Sequence, residues 1–193
     1  AKAGMGLLAA DFDDDLDLDL FVCNLTGESD SYYQNEGRYF SDRTALLGLA
    51  APSKGFTRFG VSFGDFDQDG RADLYVANGR IQRGRGQVPV PDLYAEPNLL
   101  FAGVEGGRFE ERAPRGGTEP VLWAASRALV QGDVDGDGAL DLLVVNRGGP
   151  AHLLLNRVPE RGRGVLLRVR EASGADALGA RLELDLGART LRR

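Results

Sequence analysis

The chain has 193 residues, 42% of them apolar and 27% charged, enough to bury a real core and too apolar for a disordered chain. No run approaches the roughly 18 apolar residues of a membrane helix, so no membrane span is expected; the single cysteine, Cys23 in LFVCNL, allows no internal disulfide and reads as a small core residue. The formal net charge is −6, but 14 of the 29 acids fall in three short clusters, and three divalent cations would cancel the whole net charge.

Read in order, the chain opens inside a repeat, AKAGMGLLAADFD, with no signal peptide, and is expected to be a piece of something longer. The first cluster is AADFDDDLDLDLFVCN from Ala9, in which Asp11, Asp13, Asp14, Asp15, Asp17 and Asp19 run into an apolar strand. YYQNEGRYFSD from Tyr32 reads as an aromatic strand, a Gly turn and a new strand at Phe40. TRFGVSFGD from Thr57 is an alternating strand entering the second cluster, FGDFDQDGRADLYVAN from Phe63, with Asp65, Asp67, Asp69 and Asp73. NLLFAGVEGGRFEE from Asn98 repeats the strand, turn, strand pattern around Phe109. ASRALVQGD from Ala125 enters the third cluster, QGDVDGDGALDLLVVN from Gln131, with Asp133, Asp135, Asp137 and Asp141, and HLLLN from His152 follows. Short strands bounded by Gly, Asn and Asp, without a sustained helical period, make the chain all-β, each repeat being a small antiparallel sheet of about four strands. RIQRGRGQ from Arg80 and ERGRG from Glu160 are Gly-spaced and lack interleaved aromatics, so they read as solvated loops and no nucleic acid is expected as a partner.

Internal repetition decides the reading. Laid over one another, the clusters at 11–19, 65–73 and 133–141 align without a gap: Asp at positions one, three, five and nine, Leu at ten, Val at twelve and Asn at fourteen. A hard cation such as calcium takes about six to eight oxygens, which closely spaced carboxylates on a tight turn supply. Positions one, three and five converge on the centre of the turn, and glycine at position six (Gly70, Gly138) permits a positive φ. The backbone carbonyl at position seven, as at Ala139, faces the ion, with Asp17 and Arg71 at the matching positions, and position nine closes the cage. The expected ligands are therefore Asp11, Asp13, Asp15, Asp17 and Asp19; Asp65, Asp67, Asp69, Arg71 and Asp73; and Asp133, Asp135, Asp137, Ala139 and Asp141, for up to three calcium ions. The alternative is a set of solvated turns whose aspartates only cap backbone groups.

An EF-hand begins the same way, but it closes on Glu at position twelve and continues as a helix. Here position twelve is Val22, Val76 or Val144, inside a strand. Magnesium keeps several waters in a near-octahedral site, and zinc wants His or Cys, which these loops lack. The first loop departs from the others, with Leu16 at position six and the extra acids Asp14 and Asp17. Leu in a left-handed conformation costs on the order of 1 kcal/mol or more; this weakens the first site, or the extra charge raises its affinity.

GDFDQDGRADLYVAN and GDVDGDGALDLLVVN, with Phe59 and Gly60 ahead of the former, resemble FG-GAP repeats, also called VCBS repeats, the calcium-loop blades of integrin-α-type β-propellers. Together with NEGRYF and with ADALGARLELDLG, they resemble more narrowly the cartilage acidic protein family, whose chains end in an ASPIC/UnbV domain. The motif of that domain is matched by Ala177, Leu178, Gly179, Ala180, Arg181 and Leu182. The resemblance implies a partial β-propeller of about three blades over 1–157 and the start of a small ASPIC/UnbV-like β segment over 158–193. It further implies a secreted, periplasmic or cell-surface protein acting in adhesion or macromolecular recognition, with a protein or carbohydrate ligand on the propeller face. Three blades are fewer than the roughly four to eight that close a ring, so part of the ring is missing or the arc is open, and the C-terminal segment stops early at RTLRR.

The expected class is a non-catalytic module. The alternative is the propeller portion of a carbohydrate-active enzyme, a polysaccharide lyase or hydrolase, which needs Lys, Arg, Tyr and acids gathered on one face outside the loops. The lone histidine, His152, reads as a blade-surface residue without a partner for a nucleophilic triad, Trp123 as core or loop anchor, and Arg58 and Arg127 as salt-bridging residues.

Overall fold

The alternating strands form, and they pair in sequence order. The structure, a computed structural model, describes residues 2–83, 89–158, 167–185, 187 and 190–192. ERGRG at 160–164 and residues 84–88 of the RIQRGRGQ stretch lie outside the described residues. Among the described residues no helix is long and apolar enough to cross a membrane.

The first sheet holds β1 (Gly4–Ala10), β2 (Asp19–Asn24), β3 (Ser31–Asn35) and β4 (Phe40–Asp42), antiparallel and in that order. The second repeats it with β5 (Arg58–Gly64), β6 (Asp73–Asn78), β8 (Leu99–Val104) and β9 (Arg108–Glu111), while β7 (Glu96–Pro97) pairs instead with β10 (Trp123–Ala124). The third has β11 (Ser126–Gly132), β12 (Asp141–Asn146) and β13 (His152–Leu154) among the described residues, and 159–166, where a fourth strand is expected, lie outside them. Near the C-terminus β14 (Glu183–Asp185) and β15 (Thr190–Arg192) pair as a separate ribbon. The Ala177–Leu182 motif precedes this ribbon on a largely exposed segment outside the sheets, with Leu178 almost fully exposed.

Period-two alternation gives each sheet two apolar faces, and the sheets stack so that one face of each meets the opposite face of the next. Phe21, Cys23, Tyr32 and Leu8 of the first sheet pack on Leu74, Val76, Leu99, Phe101, Val61 and Phe63 of the second. Tyr75, Ala77 and Leu100, on the second sheet's other face, pack with Leu142, Val144, Leu129 and Leu154 of the third. Because the second sheet is covered on both sides, every residue of β6 is buried. The inner strand of each sheet carries a bulge one residue after its start, at Gly4/Gly6, Arg58/Gly60 and Ser126/Ala128. That bulge presses on the preceding sheet, where Gly6 and Gly60 leave room for it: a Cβ on Gly6 would sit inside the Phe59 carbonyl, and one on Gly60 would lie 2.8 Å from Cβ of Leu129.

Buried polar side chains fasten the stack. Arg58 is fully buried; its Nε donates to Asp30 Oδ1 at 2.5 Å, and its remaining nitrogens donate to the carbonyls of Ser53, Phe56 and Glu28. This bears out salt bridging for Arg58. Arg127 differs: it donates to the carbonyls of Gly79 and Arg80 and lies 4.2 Å over the Phe59 ring, because its place on the bulge faces backbone and ring in place of a carboxylate. Cys23 is buried in the core, Trp123 is half-buried on β10, and half-buried His152 meets Asn146 through Nδ1 at 3.2 Å. The asparagines at position fourteen close the turns that follow β2, β6 and β12, donating through Nδ2 to Ser29, Pro97 and Pro150 carbonyls.

Candidate metal-binding loops

Each aspartate loop joins the first two strands of its sheet, so the repeat in sequence becomes a repeat in space. Positions four and six are left-handed in all three: Asp14 and Leu16 (φ 60 and 73), Gln68 and Gly70 (56 and 87), Gly136 and Gly138 (75 and 84). Leu16 therefore takes the same strained conformation as the glycines it replaces, at a cost of roughly 1–2 kcal/mol. These two left-handed residues turn the N–H groups of positions five and six inward, and the position-one carboxylate accepts them. Asp11 accepts from the N–H of Asp15 and Leu16 at 3.1 and 3.0 Å, Asp65 from Asp69 and Gly70 at 3.0 and 2.8 Å, and Asp133 from Asp137 and Gly138 at 3.1 and 2.9 Å. Position five accepts in turn from the N–H of position seven: Asp17 to Asp15, Arg71 to Asp69, and Ala139 to Asp137, at 2.8–2.9 Å.

Position nine acts as a clamp. Asp19, Asp73 and Asp141 are buried, and in each one oxygen accepts the N–H of position two while the other accepts an N–H just beyond or within the third strand. The pairs are Phe12 and Asn35 on Asp19 (3.1 and 2.7 Å), Phe66 and Gly103 on Asp73 (2.8 and 2.9 Å), and Val134 and Asn156 on Asp141 (2.9 and 2.8 Å). The Tyr32 hydroxyl also donates to Asp19, at 2.9 Å, and burial pushes that phenol well above its ordinary pKa.

The carboxylates brought together are Asp11, Asp13 and Asp15 in the first loop, Asp65, Asp67 and Asp73 in the second, and Asp133, Asp135 and Asp141 in the third, each trio with oxygens within 4.8 Å of one another. Asp19 in the first loop and Asp69 and Asp137 in the others stand outside these trios. Asp69 is paired with the Arg71 guanidinium, and Asp137 and Asp135 with Arg157 at 3.1 and 2.7 Å. Arg71 thus bonds its own loop through its side chain, a contact its expected role as a carbonyl ligand does not use. Arg157 was missed from sequence because it lies 16 residues past the third loop's last aspartate, and only β13 returns it.

The charge compensation differs between loops. In the first, Asp13 is pushed up to about 6 by burial and by Asp15, Asp19 and Asp11, with Gln34 Nε2 at 2.5 Å offsetting part of this. Asp17 is raised as well, by desolvation first and then by Asp15 and Asp19, and its Oδ1 has no hydrogen-bond partner. In the second, burial pushes Asp73 up to about 6 against the pull of its two N–H donors, and burial raises Asp65. In the third, the Asn156 and Val134 N–H groups hold Asp141 below the usual carboxylate range, with Arg157 adding to this. An all-oxygen donor set with repelling acids fits a hard cation.

Beside the first loop lies a half-open cavity of about 690 Å³ between the first two sheets. Phe12 and Phe63, with ring centroids 4.2 Å apart, form its floor together with Phe109. Asp11 and Asp13 stand on its rim, with Arg43, Arg71, Arg108 and Glu105 also lining it. This gathering leaves no mark in sequence, because its members come from segments far apart in the chain, from Asp11 to Phe109.

No curated protein matches the chain. Residues 11–76, from position one of the first loop to position twelve of the second, match the model of the FG-GAP-like repeat. With the stacked antiparallel sheets, that match makes this stretch similar to a repeat of β-propeller-like modules.

Proposed function

We propose that the chain is a non-catalytic, calcium-binding β-propeller-like module of an exported or cell-surface protein, acting in adhesion or macromolecular recognition. The observation that carries this is the threefold recurrence of one loop conformation, each time gathering three carboxylates whose oxygens lie within 4.8 Å. A single such cluster is common on a protein surface; a trio on each of three matching turns, always with positions one and three and completed by position five in the first loop and nine in the others, supports a metal-holding role. Asp11, Asp13 and Asp15, Asp65, Asp67 and Asp73, and Asp133, Asp135 and Asp141 would hold the ions, which supply positive charge where carboxylates otherwise repel. Extracellular calcium, on the order of millimolar, fills sites of an affinity that cytosolic levels leave empty, which supports export. The likeness of Ala177–Leu182 to the ASPIC/UnbV motif supports a relation to the cartilage acidic protein family.

The test is a thermal melt with calcium titration beside chelated and magnesium controls. An ion held at 100 times its Kd adds about 2.7 kcal/mol per site. Calcium should raise the midpoint of the parent and not of a variant carrying Asp13→Asn, Asp67→Asn and Asp135→Asn. A calcium-insensitive parent would leave the aspartates as turn formers.

A second reading, a carbohydrate-binding or carbohydrate-processing face, rests on the cavity. Its aromatic floor and guanidinium rim suit a saccharide carrying acidic groups. Tyr32 is a poor base there, since its hydroxyl is bound to Asp19 and its pKa is raised. Binding of acidic oligosaccharides to the parent and to Arg108→Ala, followed by calorimetry, separates this reading from the first.

A further inference from the structure

The cavity beside the first loop is walled on both sides by sheets of this chain that pack on one another, so its shape is set by residues already described. Its rim carries charges of both signs, and they are not equally engaged. Arg43 donates to Glu36 at 3.1 Å, and Arg71 pairs with Asp69 while its Nε donates to the Gly103 carbonyl at 2.9 Å. Arg108 is exposed, and its guanidinium makes no hydrogen bond or ion pair among the described residues. Among the arginines of the rim it is the cation left to receive an acidic group.

On the same rim stand Asp11, Asp13 and Asp14. Asp11 and Asp13 are also two of the three carboxylates that gather in the first loop, with oxygens within 4.8 Å of one another. One pair of side chains therefore belongs both to the candidate ion site and to the cavity. The other loops differ, since no carboxylate of the second or third trio lines the cavity. Without an ion, the rim carboxylates oppose the entry of an anion; a divalent cation cancels two of the three negative charges of the trio.

We propose that calcium in the first loop and an acidic saccharide in the cavity bind cooperatively, each raising the affinity for the other by the same factor. The proposal rests on the calcium reading of the loops and on the reading of the cavity as a saccharide site, and it joins them through Asp11 and Asp13. A coupling on the order of tenfold is expected for charges this close to a protein surface. Arg108 supplies the attraction in either state, and the first loop decides how much repulsion opposes it.

Titration calorimetry of the full 193-residue chain with a trisaccharide carrying one uronate, in calcium and in chelator, tests this. Calcium takes about six to eight oxygens, so a single carboxylate competes for it poorly. The parent should bind the uronate on the order of tenfold more tightly in calcium. The same trisaccharide with its carboxylate reduced to an alcohol should bind equally in both conditions, because the coupling acts through charge. Asp13→Asn removes a negative charge from the rim, so in chelator it should bind the uronate several-fold more tightly than the parent, and the calcium gain should shrink. A residue needed only for the shape of the loop would not improve binding when replaced. Uronate binding that ignores calcium, in a protein whose melting midpoint calcium raises, overturns the coupling and leaves both underlying readings standing. Uronate binding in neither condition overturns the cavity reading and the coupling with it. A neutral trisaccharide that responds to calcium as the uronate does, or an Asp13→Asn variant that binds no better than the parent in chelator, also overturns the proposal.

Discussion

Asp73→Asn separates the structural work of position nine from any ion it holds. The carboxylate sits buried between the N–H groups of Phe66 and Gly103, at 2.8 and 2.9 Å, and binds the second loop to β8. Asparagine keeps one oxygen for one of these donors and turns an NH₂ group toward the other. One charge-assisted bond, worth about 1.5–3 kcal/mol, is lost, and a buried N–H is left unpaired at a further ~1–3 kcal/mol. Against this, removing a charge that burial already disfavours returns part of the loss, since the Asp73 pKa stands at about 6. The net expectation is a loss of about 2 kcal/mol, or roughly 4–8 °C in Tm for a chain of this size. The comparison is Asp67→Asn, whose carboxylate accepts one exposed N–H at 3.2 Å and should cost under ~0.5 kcal/mol. Both are measured by urea unfolding in chelator and again in calcium. In chelator only Asp73→Asn should destabilise; in calcium both should lose part of the calcium-dependent gain. Equal stabilities of the two variants in chelator would refute the clamp.

Gly6→Ala places a methyl on the Phe59 carbonyl and should cost at least about 1–3 kcal/mol in urea unfolding, whereas Gly132→Ala, with open space around it, should be nearly neutral. Between about pH 4 and 6 the calcium-free protein should lose stability as pH rises, because Asp13 and Asp73, raised from 3.8 to about 6, bind more protons folded than unfolded there. Saturating calcium favours the charged form and should flatten or reverse that slope, as urea midpoints across the range will show. Arg157→Ala removes the guanidinium from Asp135 and Asp137 and should raise the calcium affinity of the third loop up to about fivefold by calorimetry, the equivalent of ~1 kcal/mol for a surface pair.

What was legible in the sequence was whatever repeats at fixed offsets. The loops, the strands around them and the need for a left-handed residue at position six all follow from aligned residue types, and Leu16, the one mismatch, adopts the demanded φ of 73 all the same. Position four escaped notice because Asp14, Gln68 and Gly136 share no residue type, so only the backbone reveals a common conformation. The clamp escaped for a different reason. Its aspartate aligns, but its partners lie 16, 30 and 15 residues further along, at Asn35, Gly103 and Asn156, and a backbone N–H leaves no mark in sequence.

The division of labour within each loop bears on how calcium would act. Positions one and nine spend their oxygens on backbone N–H groups, which shape the turn and tie it to the third strand. Position three has the least backbone work: Asp13 meets Gln34, Asp67 one weak N–H, and Asp135 an exposed arginine. An ion would therefore draw mainly on position three, relieving repulsion among carboxylates while the backbone bonds of positions one and nine shape the turn. Calcium should then raise stability by increments set by mass action, in contrast to small zinc domains that are unfolded without metal. The first loop, with six acids and with Asp13 and Asp17 raised by burial and by their acidic neighbours, has most to gain, and it should be the first to fill.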